Sequence, residues 1–162
     1  MTGGLSNLLP AALLGVLLIV AAICDLKHRI IPNRLNLIIA LTAPIAWWAA
    51  GLSLWPDVAW QVGAAAAVFA GFAALFFIGG IGGGDVKMIG ALALWIDVRL
   101  LLSLLLVMAI VGGCIAGFML IRNKIGKAEQ NPEVPYGVAI AVAGFWALHQ
   151  QYINHLTFIP NT

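Results

Sequence analysis

From Leu35 to Gly84 the chain carries a single charged side chain, Asp57, and from Leu100 to Ile121 it carries none. A soluble domain is about one quarter charged, so stretches like these point to a bilayer as the main solvent. The composition agrees, with 63% hydrophobic residues, 9% charged residues and a mean hydropathy of +1.06. Charge, Gly and Pro divide the apolar sequence into six runs: Leu8 to Cys24, Leu35 to Trp55, Val58 to Ile78, Val86 to Ile96, Leu100 to Ile121, and Tyr136 to about Tyr152. Each is read as a helix, because a helix pairs its own backbone where no water can. The expected fold is all-α, a polytopic membrane protein of about six transmembrane helices, with residues 1–162 as one membrane-embedded domain. The first run has no Lys or Arg before it and no small-residue cleavage pattern after it, so it is expected to be a retained helix. The fourth run is too short to cross about 30 Å of hydrocarbon unless the bilayer is thinned, the helix is extended, or neighbours bury it.

The positive charges orient these helices. Lys27, Arg29 and Arg34 crowd the first connection, and Arg122, Lys124 and Lys127 crowd the fifth. With six spans both connections fall on one side, and the positive-inside rule makes that side the cytoplasm. Both termini then face outward, as do Pro56, Asp57 and the Asp97-Val98-Arg99 turn. On the same count Asp25, at the end of the first helix, and Asp85, at the start of the fourth, lie together at the cytoplasmic boundary. A net charge of +2 is too small to suggest a nucleic-acid partner. Cys24 and Cys114 lie in apolar runs with no CxxC or Cys/His spacing, so they are expected in the core, with no metal site and no disulfide framework. Trp47, Trp48, Trp55, Trp60 and Trp95 are expected as an outer aromatic belt, and Gly113 and Gly117 as a close-packing pair.

The segment Gly79-Gly80-Ile81-Gly82-Gly83-Gly84 has five glycines in six positions and is expected to be a tight irregular loop at the head of a helix. It lacks the Gly-Lys-Ser/Thr ending of a P-loop, and Asp85 stands where a phosphate would sit. Taken alone, Asp85 could be a helix cap and Asp25 a solvated partner of Lys27 or Arg29. As a pair they point elsewhere, since acids near a membrane span are costly and tend to mark functional sites. Two carboxyls that share a proton do not both ionise easily, so one can act as base while the other acts as acid. That is the equipment of an aspartic protease, and it requires no metal or organic cofactor. Ser6, Ser53 and Ser103 lie in no nucleophile elbow, and His28, His149 and His155 have no evident Ser or Cys partner. A proton- or cation-coupled transporter using Asp25 and Asp85 is the alternative, as is a non-catalytic assembly subunit. A transporter would be expected to carry acids nearer the midplane and an inverted repeat, and no repeat is evident.

At these residues the sequence resembles a known family. Gly82-Gly83-Gly84-Asp85-Val86-Lys87 is similar to the GxGD signature of membrane aspartyl proteases, in the G-G-G-D-x-K form of type IV prepilin peptidases. The stretch from Asp25 to Pro32 and Asn33 resembles that family's D-x-x-x-x-x-I-P-N element, and Pro135-Tyr136-Gly137 its late P-[YF]-G segment. The resemblance implies a catalytic pair of Asp25 and Asp85. Gly82, Gly83, Gly84, Lys87, Pro32, Asn33, Pro135, Tyr136 and Gly137 would bind substrate or shape loops. Lys87 would bias the pair's ionisation or serve as an interfacial anchor, and Pro32 would end the first helix. The implied substrate is a prepilin with a hydrophobic N-terminal helix, cut at the cytoplasmic boundary of a bacterial inner membrane, with the pilus assembly machinery as a further partner. Larger members carry a CxxC-bearing insertion and also N-methylate the product. This chain has no such insertion, so leader removal without methylation is expected, as in the short tight-adherence (Flp-type) peptidases.

Overall fold

The structure, a computed structural model, describes residues 3–125 and 134–157, with side chains described for 8–122 and 134–151. Lys127 lies outside the described residues, as do the side chains of Ser6, Lys124, Tyr152 and His155. Six α-helices follow one another: α1 (Gly3–His28), α2 (Asn33–Ala49), α3 (Ala59–Phe77), α4 (Gly83–Ala93), α5 (Val98–Ile125) and α6 (Tyr136–Thr157). No strand occurs among the described residues. Segments of α1, of α3 with the π-helical turn Leu54–Val58 before it, and of α5 are long and apolar enough to cross a bilayer. The outward side chains are apolar too, from Leu9 and Phe77 to Leu102 and Phe118. Apolar surface on this scale fits lipid and not water.

The helices form an antiparallel arrangement around α4. Phe76 lies against Gly83 and Phe69 against Gly90, so α3 runs opposite to α4. Leu18 packs on Gly144 and Phe145 on Gly15, which pairs α1 with α6 in opposite directions. Tyr136 lies on Gly112, which brings the start of α6 onto α5. The α1–α2 connection, the α3–α4 connection and the start of α6 therefore meet at one end of the bundle.

The short fourth helix is buried among its neighbours, as one of the expected alternatives had it. Its 11 residues rise about 16 Å, roughly half the hydrocarbon thickness. Val86 and Met88 through Ala93 are all buried, with α2, α3 and α6 packed around them. Its last carbonyls have no partner inside the helix. The N–H groups of Leu94 and Trp95 serve Ala91 and Leu92, and side chains serve Ala93 and the turn that follows: Gln61 Nε2 donates to the Ala93 and Ile96 carbonyls at 2.7 and 2.6 Å, and Trp47 Nε1 donates to Leu94 at 2.8 Å. Trp95 Nε1 in turn donates to the Ile39 carbonyl of α2 at 2.7 Å.

These bonds correct the expected aromatic belt. Trp48, Trp55 and Trp60 are exposed, but Trp95 is buried and Trp47 turns inward, because their indole N–H groups are needed inside. The expected packing of Gly113 and Gly117 does not occur among the described residues, none of which lies where a side chain on either would stand, and neighbouring Gly112 makes the close approach. Cys114 is exposed and Cys24 only half-buried, so neither is the core residue expected. The second helix ends at Ala49, short of Trp55, where Gly51 turns left-handed at φ 68°.

If Gln61 holds the end of α4, Gln61→Leu keeps the volume and strands buried carbonyls. The expected cost is about 1–3 kcal/mol, read as a lower thermal unfolding midpoint in detergent, against no change for Val62→Leu on the exposed face of α3. A Gln61→Leu midpoint equal to wild type would remove this role.

Candidate active site

Asp25 stands in the last turn of α1. The Arg29 N–H donates to its carbonyl at 2.9 Å, and Arg29 takes the left-handed conformation, φ 55°, after the helix ends at His28. The sequence led us to expect Pro32 to end this helix, but α1 has closed before it, at His28. It is the N-cap residue of α2, with φ −60° and ψ 134°, and the ring prepares the chain for a new helix.

The Asp25 side chain is 5% exposed and points at the start of α6. Its Oδ2 accepts the Val138 N–H at 3.2 Å, and the Gly137 N–H faces the same carboxylate. The first N–H groups of a helix have no partner within it, and Pro135, just before α6, offers no side-chain oxygen. Asp25 therefore caps α6 from a different helix. Gly137 is required by the approach: a Cβ there would fall 2.9 Å from both Asp25 Cβ and Cγ, and 2.8 Å from Ile31 Cδ1.

Asp85 is reached from the other direction. The glycine run turns through Gly79, at φ 78°, and α4 begins at Gly83 with Gly82 as its N-cap residue. The run is thus an irregular loop only as far as Gly82, and Gly83 and Gly84 belong to the helix. Asp85 is the third helical residue and not the cap, and its carboxylate folds back over Gly82 toward that residue's N–H. A Cβ on Gly82 would lie 2.9 Å from Asp85 Oδ2. Ile31 sits beside both halves of the site, 3.5 Å from the Cβ position of Gly84 as well as against Gly137. Ile31 thus joins the helix start that carries Asp85 to the helix start that Asp25 caps.

Of the remaining expected residues, Lys87 and Asn33 meet each other: Lys87 Nζ donates to Asn33 Oδ1 at 2.8 Å, tying α4 to α2. Tyr136 packs on Gly112 of α5 and positions α6. His28 is exposed at the end of α1 and His149 is exposed on α6. Among the described residues no group of three or more His, Cys, Asp and Glu side chains forms a metal cluster.

Asn36 was not among the expected site residues. It is 5% exposed, its Nδ2 donates to the Gly84 carbonyl at 3.1 Å, and its Oδ1 is buried with no partner among the described residues. A polar side chain one turn after Asn33 in an otherwise apolar run was the available signal. Ile31 and Val138 were beyond reach, since one acts through its shape and the other through its backbone.

The capping role predicts a graded series. Asp25→Ala removes the acceptor and costs about 1 kcal/mol of stability, whereas Asp25→Asn keeps an oxygen and costs less. Gly137→Ala overpacks the contact at about 1–3 kcal/mol. Thermal unfolding in detergent checks all three, and an Asp25→Ala protein as stable as wild type would show that the cap contributes nothing.

A family model, the type IV leader peptidase family, matches residues 12–117, which include Asp25 and Asp85 but not Pro135 to Gly137. The chain is 27% identical over 149 residues to the prepilin leader peptidase/N-methyltransferase of Bacillus subtilis, covering 87% of this chain and 55% of that protein. It is 28% identical over 151 residues to the protein of the same name from Aeromonas hydrophila, covering 86% of this chain and 49% of the relative. The chain thus spans about half the length of the curated relatives it matches. No solved structure gives a significant match. A match over most of an all-α chain built for a bilayer makes this protein a member of the type IV leader peptidase family.

Proposed function

We propose that this chain is a single-domain membrane aspartyl endopeptidase that removes the leader from a prepilin, with Asp25 and Asp85 as its catalytic pair. The observation that carries this reading is the meeting of two acids, distant in sequence, around Ile31 at one end of the bundle. In the reaction, one carboxylate takes a proton from water as the water oxygen attacks the scissile carbonyl carbon. The other carboxyl gives its proton to the carbonyl oxygen, forming a neutral diol. Collapse of the diol breaks the C–N bond as the first carboxyl gives its proton to the nitrogen, which leaves as the new amino terminus, while the second takes a proton from a diol hydroxyl, so a carboxylic acid forms and the pair regains its starting protonation. The two carboxyls relay the protons of the attacking water through this sequence and supply none on balance, and the groups around them fix where the two carboxyls stand.

The charge pattern supports a cytoplasmic active site in a bacterial inner membrane, with the termini outward. The curated relatives are named for peptidase and N-methyltransferase activities. This sequence contains no CxxC pair, which supports leader removal without methylation, on an Flp-type prepilin.

Co-expression with a candidate Flp-type prepilin tests the reading. Wild type is expected to shift the substrate to the shorter form on a gel. Asp25→Asn and Asp85→Asn are each expected to abolish the shift at normal membrane abundance, a loss of more than about 100-fold for a lost acid or base. Mass spectrometry of the product is expected to show an unmethylated amino terminus. Cleavage surviving in either variant would return that acid to a structural role.

A further inference from the structure

Helices α2 and α3 both pack on α4 and chiefly not on each other. Between them runs a lateral groove of about 580 Å³, open on one side, with α4 as its floor. That volume lies within the range of about 300–1,000 Å³ found for ligand clefts. Its walls are apolar along most of their length, with Ala40 on α2 and Ala66 and Phe69 on α3. Asn33, Asn36 and Lys87 also line it, and all belong to the part of α2 and α4 nearest the glycine loop. The polar end adjoins the site: Asn36 holds the carbonyl of Gly84, the residue before Asp85. We infer that this groove seats the apolar segment of the peptide substrate, presenting the bond to be cut at its polar end, an inference that rests on the proposed peptidase function.

Two features select a peptide over a lipid chain. Asn36 Oδ1 is a buried acceptor with no donor among the described residues, and an unpaired buried acceptor costs about 1–3 kcal/mol. An acyl chain has no N–H to offer it. A peptide does, because a backbone about to be cleaved must leave its helix, and the N–H groups it frees at membrane depth require acceptors. The second feature is the sequence of surfaces, apolar along the groove and then polar beside the acids. An apolar helix ending in an extended scissile segment has that same order.

The test uses the full chain in membranes with a candidate prepilin as the probe. Ala66 is exposed on the groove wall, and Ala66→Trp fills the groove from that side. It is expected to raise KM for the prepilin about tenfold, the equivalent of about 1.4 kcal/mol of binding, with a much smaller change in kcat. Ile110→Trp, on the exposed face of α5, is expected to behave as wild type. A photoreactive phenylalanine at position 66 is expected to capture the prepilin within its apolar segment, and the same group at position 110 is not. This arm does not depend on Ala66→Trp folding normally. Wild-type KM for Ala66→Trp, or capture at position 66 of lipid or a second copy alone, would overturn the groove assignment while leaving the peptidase reading intact. A wild-type protein that leaves the prepilin uncut would instead overturn the peptidase reading, and the groove assignment with it.

Discussion

Inside hydrocarbon a backbone carbonyl finds a partner in the protein or goes without, and the arrangement of this bundle follows from how α4 meets that demand. An 11-residue helix cannot reach from one interface to the other. It ends buried among its neighbours, at Ala93, and its terminal carbonyls are exposed to that cost. Gln61 from α3 and Trp47 from α2 provide the donors. In doing so they fix α4 between α2 and α3, and the start of α4 is where Asp85 stands. The acid's position is therefore determined partly by hydrogen bonds at the opposite end of its helix.

Around the two acids, three connections contribute different things. The α1–α2 connection brings Asp25, Ile31 and Asn33. The α3–α4 connection brings the glycine turn and Asp85, and the start of α6 brings two backbone N–H groups. Small residues let these parts touch, as at Gly137, where a methyl group would collide with the Asp25 side chain. The Lys87–Asn33 bond ties α4 to α2 at the same end. Each acid also serves the fold, Asp25 by capping α6 and Asp85 by folding back on Gly82. This dual use explains why local reasoning about either residue as a cap was sound and still incomplete.

The number and order of the helices were legible because a bilayer makes apolar length a strong signal. So was the coincidence of Asp25 and Asp85 at one end, which follows from counting spans. Helix ends were less legible. The first helix continues through Asp25 to His28, since polar residues at an interface can extend a helix, and α2 stops early because Gly51 turns the chain. Trp47 and Trp95 were misassigned because composition reports that an indole is amphipathic, not which carbonyl its N–H will find. Asn36 was missed for a related reason: its partner is the backbone of Gly84, 48 residues away, and no local pattern reports such a contact.

The bond from Val138 to Asp25 joins residues 113 positions apart, and this separation bears on biosynthesis. Helices enter the membrane in the order in which they are made, so α1 is in place while α6 is still being synthesised. Throughout that interval Asp25 lacks the backbone groups that later hold it, and Asp85 arrives to find its counterpart unfixed. The two acids acquire their final setting only when α6 inserts. A chain that ended before α6 would thus carry Asp25 in the bilayer as an uncompensated acid, and closing the bundle is what gives that carboxylate its partners.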